Sequence, residues 1–175
     1  MKRFALACAA TLCLAFPALP AFAGEQYIDG TGFAVSGYDV VAYRNLPQTS
    51  VGVAQSQGVP GLASITADYN GATFAFSTLE NRDTFLSDPA HFAPQYDGHC
   101  AYGVSRGGKV PGNPNLWRIV DDKLYLNITK VVVGFWEEDI PGNISTAESN
   151  WVGIEPSAAS TNVIPQFNST APIKN

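Results

Sequence analysis

The chain reads as an α+β domain in which a small antiparallel sheet, built from two β-hairpins, is packed with short helices. Three observations predict it. Asn70-Gly71 separates two alternating apolar runs, Asp121-Asp122-Lys123 separates two more, and each pair of runs is followed by a segment with helical spacing and a capping residue.

Before these elements lies a leader. Lys2 and Arg3 are followed by an uncharged apolar stretch from Phe4 to Leu19 and then by Ala21-Phe22-Ala23, the order of parts in a secretory signal peptide. The domains expected are therefore a signal peptide over 1–23, one α+β domain over 24–152 and a disordered tail over 153–175, with the mature protein periplasmic or secreted. Pro17 and Pro20 interrupt the apolar run, which argues against a membrane span, so no membrane anchor is expected after cleavage. Cys8 and Cys13 leave with the leader, so the mature chain keeps only Cys100 and has no intrachain disulfide. Lys2 and Arg3 leave too, and eight basic residues then face fifteen acidic ones. Such a charge balance repels nucleic acid and anionic lipid, and both are set aside as partners.

Phe33 to Tyr43 is apolar and is expected to form one short buried helix or strand. Arg44 to Gly61 is rich in Gly, Pro, Gln and Ser and reads as a surface loop. In the first hairpin, over Ser64 to Ser77, Ile65, Ala67 and Tyr69 alternate on one arm, and Phe74 and Phe76 on the other. Asn-Gly readily supplies the two positive φ angles of a type I′ turn. Ser77-Thr78-Leu79-Glu80 then matches a capping box, with Ser77 as the cap and Leu79, Phe85 and Leu86 on the buried face. The second hairpin pairs Trp117 to Val120 with Leu124 to Ile128. A helix over Thr129 to Asp139 with Val132, Phe135 and Trp136 inward follows it, and a last helix ends near Trp151. No internal repeat is visible in the residues.

The segments Gly37-Tyr38-Asp39-Val40-Val41-Ala42-Tyr43, Tyr69 to Ser77, Asn81 to Phe85 with Asp88-Pro89, Pro94-Gln95-Tyr96 and Cys100-Ala101-Tyr102-Gly103-Val104 together resemble exported YHS-domain proteins. So do Trp117 to Val120, Leu124 to Asn127 and Trp136 to Pro141, and the likeness covers roughly 33–151. The resemblance implies a small module of the kind that binds soft metals through cysteine thiolates beside heavy-metal transporters. Phe76-Ser77 stands where a metal-binding version has Phe-Cys, so that thiolate site does not carry over.

The remaining concentrated donors are His91, His99 and Cys100, with Asp97 close by. Imidazole and thiolate together suit copper(I) or zinc(II), which makes these three residues the expected metal ligands. Two other readings stay open for them. Cys100 can be a small buried apolar residue with the histidines at a loop surface, or a catalytic thiol with a histidine as its base. The leading functional expectation is an exported, non-catalytic YHS-like binding protein for a transition metal, copper or zinc. The alternative is an interaction or structural domain without a metal or small-molecule site, which leaves room for a protein partner. An enzyme comes third.

Overall fold

The computed structural model describes residues 24–174, so the leader expected over 1–23 lies outside the described residues. The architecture is α+β, as expected. Strands β1 (Leu62–Tyr69) and β2 (Ala72–Phe76) form one antiparallel hairpin, and β3 (Asn113–Val120) and β4 (Lys123–Asn127) form another. The hairpins are two separate two-stranded sheets rather than one continuous sheet. Around them lie α1 (Leu79–Ser87), α2 (Pro89–Phe92), α3 (Ala101–Ser105), α4 (Lys130–Glu137) and α5 (Ile140–Ile154). Among the described residues no helix is long and apolar enough to cross a membrane.

Both turns form as their residues dictate. Asn70 and Gly71 have φ of 48° and 75°, and Asp121 and Asp122 have 47° and 60°. Each hairpin carries an irregularity on its first strand, between Leu62 and Thr66 and between Asn113 and Trp117. Beyond each hairpin a threonine caps the next helix: Thr78 Oγ1 accepts from Asn81 N at 3.0 Å, and Thr129 Oγ1 from Val132 N at 3.2 Å. Ser77 is not the cap, because its amide and hydroxyl are both directed to Asp39. Asp88 and Asp139 then cap α2 and α5 from nearly the same backbone conformation, φ −156° and −153°.

These matches belong to an internal duplication that the residues alone conceal. Val35-Ser36-Gly37 has φ of 52°, 52° and 78°, and Tyr96-Asp97-Gly98 has 58°, 54° and 77°. Tyr38 then bridges Pro60 as His99 bridges Pro111. Asp39 N donates to Val59 O at 2.8 Å, and Cys100 N to Val110 O at 2.9 Å. Gly61 N reaches Gly37 O as Gly112 N reaches Gly98 O, at 2.9 and 3.0 Å. The chain is thus two copies of one plan: a left-handed turn, a short helical turn, a hairpin and two capped helices. The stretch expected as one helix or strand over Phe33 to Tyr43 is instead two 3-10 turns, Val35–Gly37 and Ala42–Asn45, joined by an extended Tyr38 and a turn at Val40 and Val41. Its left-handed residues preclude either regular element.

The core has two parts. One gathers Phe74, Phe76 and Phe85 with Tyr38, Tyr43, Trp117 and Leu126, and the other gathers Tyr96, Val104, Tyr125, Trp136 and Ala147. Leu79, Leu86 and Phe135, expected inward, are exposed, so each hairpin's first helix is anchored by one large residue, Phe85 or Trp136.

The tail expected to be disordered packs against the domain as a strap, and α5 extends beyond the boundary expected at 152. Ile164 is buried and Phe167 and Ala171 pack on the core. Ser160 N meets His99, Tyr27 Oη donates to the Asn162 carbonyl, and Thr170 Oγ1 lies 3.1 Å from Tyr38 Oη. Lys174 closes the strap, its amide donating to Thr31 O at 2.7 Å and its ammonium to Thr73 Oγ1 at 2.8 Å. Few but well-spaced apolar anchors, supported by main-chain bonds, hold a segment whose average composition is polar.

Candidate functional site

His99 and Cys100 are neighbours in the chain and both are fully buried, but neither presents a free donor. The His99 ring nitrogen Nδ1 lies 2.9 Å from the Tyr96 carbonyl, and Nε2 accepts from Ser160 N at 3.1 Å. That pair of bonds selects the neutral tautomer with the proton on Nδ1. The ring sits between Tyr27 and Trp151. Burial above all pushes its pKa down to about 4, with Lys109 acting in the same direction.

A pH dependence follows. The folded value lies below the ordinary one, so the unfolded chain takes the proton first, and the stability contributed by neutral His99 is complete above about pH 6.5 and withdrawn as pH falls toward about 4. Asp97 acts in the opposite sense, because burial and Glu155 raise its pKa to about 6, so its neutral form is favoured in the fold as pH falls through that value. A titration of His99 followed by NMR should show the ring neutral until about pH 4. Loss of exchange protection at the Ser160 amide should accompany its protonation, and a ring that titrates near 6.5 would contradict the buried geometry.

Cys100 occupies the place in the second copy that Asp39 holds in the first. The Asp39 carboxylate accepts from Val41 N and Ala42 N through Oδ1, and from Ser77 N, Ser77 Oγ and Asn81 Nδ2 through Oδ2. Cys100 Sγ accepts from Gly103 N and donates to Asn127 Oδ1, both at 3.4 Å. Asn127 Oδ1 also takes Tyr102 N. Cys100 is therefore a helix cap and a core residue, and burial pushes its thiol up against the opposing pull of nearby backbone N–H groups. Folded protein should resist thiol-labelling reagents at Cys100 and react stoichiometrically only after denaturation, as read by mass spectrometry.

His91 lies apart, on α2, with Nε2 3.3 Å from Asp122 Oδ2 and its ring against Phe92. None of its partners is shared with His99 or Cys100. The three expected ligands are not brought together, and among the described residues no group of three His, Cys, Asp or Glu side chains could hold a metal ion. The physical reason is local: successive residues of an extended bridge point to opposite sides, and each side here is already filled.

A concavity lies elsewhere. An open cleft of about 790 Å³ runs between the loop over 52–57, β3, α4 and the strap. Its walls are fixed by the buried Arg118–Glu137 ion pair. Arg118 Nη1 also donates to Thr49 O at 2.9 Å, and Glu137 Oε2 accepts from Gly52 N at 2.8 Å. Trp117 Nε1 holds Ser56 O at 2.8 Å from below. Six amide side chains line the cleft, Gln55, Gln57, Asn113, Asn115, Gln166 and Asn168. Gln55 Oε1 accepts from Thr49 N at 3.0 Å, while Gln55 Nε2 is buried without a partner among the described residues. Val53 and Val131, both largely exposed, stand at the cleft with Lys130. Residue patterning could not reveal this site, since its amides come from three distant segments and two of them lie in stretches that read as loop and tail.

Fold and site together define a duplicated hairpin–helix α+β domain with an amide-lined surface cleft. No protein-family model matches the chain, and no curated protein or solved structure does so either.

Proposed function

We propose that the chain is an exported, non-catalytic binding protein of the YHS type that recognises an extended segment of a partner polypeptide in the amide-lined cleft. The observation that carries this reading is the convergence of six amide side chains, from the loop over 52–57, β3 and the strap, on one cleft whose wall is pinned by hydrogen bonds. Each Asn or Gln offers one carbonyl and one NH₂, which suits the peptide group's single acceptor and single donor. Val53, Val131 and Phe167 supply apolar contact beside them.

Copper or zinc on Cys100, His99 and His91 finds no such support, because every one of those side chains is engaged within the fold. A photo-crosslinking residue at position 57 or 131 in the native compartment should form a discrete protein adduct that the same probe at exposed position 163 does not. Adducts from all three positions, or from none, would defeat the cleft reading. Reduced, untagged mature protein should also fail to retain copper(I) or zinc(II) against a competing chelator. Retention that Cys100→Ser abolishes would restore the metal reading in its place.

A further inference from the structure

Gly24 follows Ala21-Phe22-Ala23 directly and is buried. Its nitrogen donates to Glu155 Oε1 at 3.4 Å, and its carbonyl accepts from Asn70 Nδ2 at 2.9 Å. A Cβ built on Gly24 would collide with Asp97 Oδ2 and fall 2.6 Å from the Glu155 carbonyl oxygen and 2.9 Å from Glu155 Cγ, so no side chain fits. Asp97 Oδ1 takes Gln26 Nε2 at 2.7 Å and Asn70 Nδ2 at 3.4 Å, whereas Asp97 Oδ2 is buried and receives no donor among the described residues. Lys109, the neighbouring cation, spends its ammonium on the Glu155 and Ser157 carbonyls rather than on either carboxylate. Glu25 points away, to Ala159 N. Glu155 Oε1 thus faces the Gly24 nitrogen, and Asp97 Oδ2 and the Glu155 carbonyl crowd the α-carbon beside it, while that nitrogen carries a single N–H as long as it remains part of a peptide bond. The supply of donors does not match the acceptors.

We propose that Asp97 and Glu155 form a socket for the α-ammonium group created on Gly24 when the chain is cut after Ala23, so that removal of the leader completes the fold. The proposal rests on the export reading. A leader-cleaving peptidase adds one water across the Ala23–Gly24 bond. The carbonyl carbon keeps the water's oxygen and leaves as the leader's carboxylate, and the nitrogen takes the protons to become an ammonium, its usual state below about pH 8. That group has three N–H donors and a positive charge where the uncut chain has one donor and none. It also lies at the C-terminal end of α5, where the helix's terminal carbonyls favour a cation. The new charge would clamp the first residue of the mature chain to the junction of α5 and the strap.

Mass spectrometry of the exported protein should give Gly24 as the first residue; any other start overturns the proposal and the cleavage site with it. Three purified chains then test the socket itself: one starting at a free Gly24, one Nα-acetylated there, and one retaining Phe22-Ala23. The free chain should have the highest urea midpoint, with its folding equilibrium constant greater by about tenfold, and its Gly24 amine should titrate above the ordinary value of about 8. In the Asp97→Asn/Glu155→Gln background the three chains should unfold alike. A correct Gly24 start combined with equal stabilities and an ordinary amine pKa would leave export standing and sink the socket.

Discussion

Asp39→Ala is expected to lower the stability of the domain by about 3 kcal/mol or more, enough to remove much of the stability of a domain this size. Asp39 is completely buried, and its carboxylate accepts from five donors at once, joining the turn over Val40–Ala42 to the junction of β2 and α1. Truncation leaves the Val41, Ala42 and Ser77 amides, the Ser77 hydroxyl and the Asn81 amide without the acceptor they share, in a space too crowded for easy hydration. Each buried donor left unpaired costs about 1–3 kcal/mol, although neighbouring losses do not simply add. Asp39→Asn keeps the shape but brings an NH₂ against donors, so it should also destabilise. The internal duplication supplies the control. Cys100→Ala, at the equivalent place, removes only two weak sulfur contacts and should cost clearly less in the same urea titration.

Local chemistry explains which parts of this molecule are legible in its residues. Asn70-Gly71 and the alternation around it specify a hairpin within a few residues, and the turn forms as expected. Thr129 caps α4 and Asp139 opens α5 by contacts three residues long, so these elements too are readable. The failures all involve distant partners. Ser77 has the sequence of a cap, but Asp39 lies far away in the chain and captures it, and Thr78 takes over the capping. The Val35-Ser36-Gly37 turn holds two non-glycine residues at positive φ, a conformation that tertiary structure imposes against local preference. The duplication is masked because the first copy inserts a longer loop before its hairpin and because Asp39 faces Cys100, and Tyr38 faces His99, with no chemical likeness. Val59-Pro60-Gly61 and Val110-Pro111-Gly112, just ahead of both hairpins, with the capping pairs Thr78/Thr129 and Asp88/Asp139 at the same offset, are short and scattered identical signals. Adjacency misleads at His99-Cys100, where two good ligands are spent on Tyr96, Ser160, Gly103 and Asn127.

The duplication also assigns the two largest apolar losses. Phe85 has no exposed surface and packs in a ring of aromatics, with centroids 5.0 Å from Phe74, 5.0 Å from Phe76 and 6.0 Å from Tyr69, the last edge to face. Phe85→Ala should cost about 3–5 kcal/mol, from lost burial and from the cavity left among rings that the two strands of the first hairpin hold apart. Leu79 and Leu86, from the same helix, are more than half exposed, at 56% and 53%, and their alanine variants should change stability by about 0.5 kcal/mol or less. The contrast separates one anchor from the apolar face that helical spacing suggested. Trp136 is the corresponding anchor of the second copy, buried against Tyr125 in the other cluster. Because the two anchors share no contacts, Phe85→Ala and Trp136→Ala should each shift the urea midpoint without changing the slope if the copies unfold as one unit. A biphasic curve in either variant would mean that one copy can melt while the other stands. The strap makes the single transition the expected result, since it bonds to Tyr38 in the first copy and to His99 in the second. Shortening the chain before Ile164 should then convert the single transition into two, and unchanged cooperativity after that truncation would place the coupling in the shared core around Trp117 and Leu126 instead.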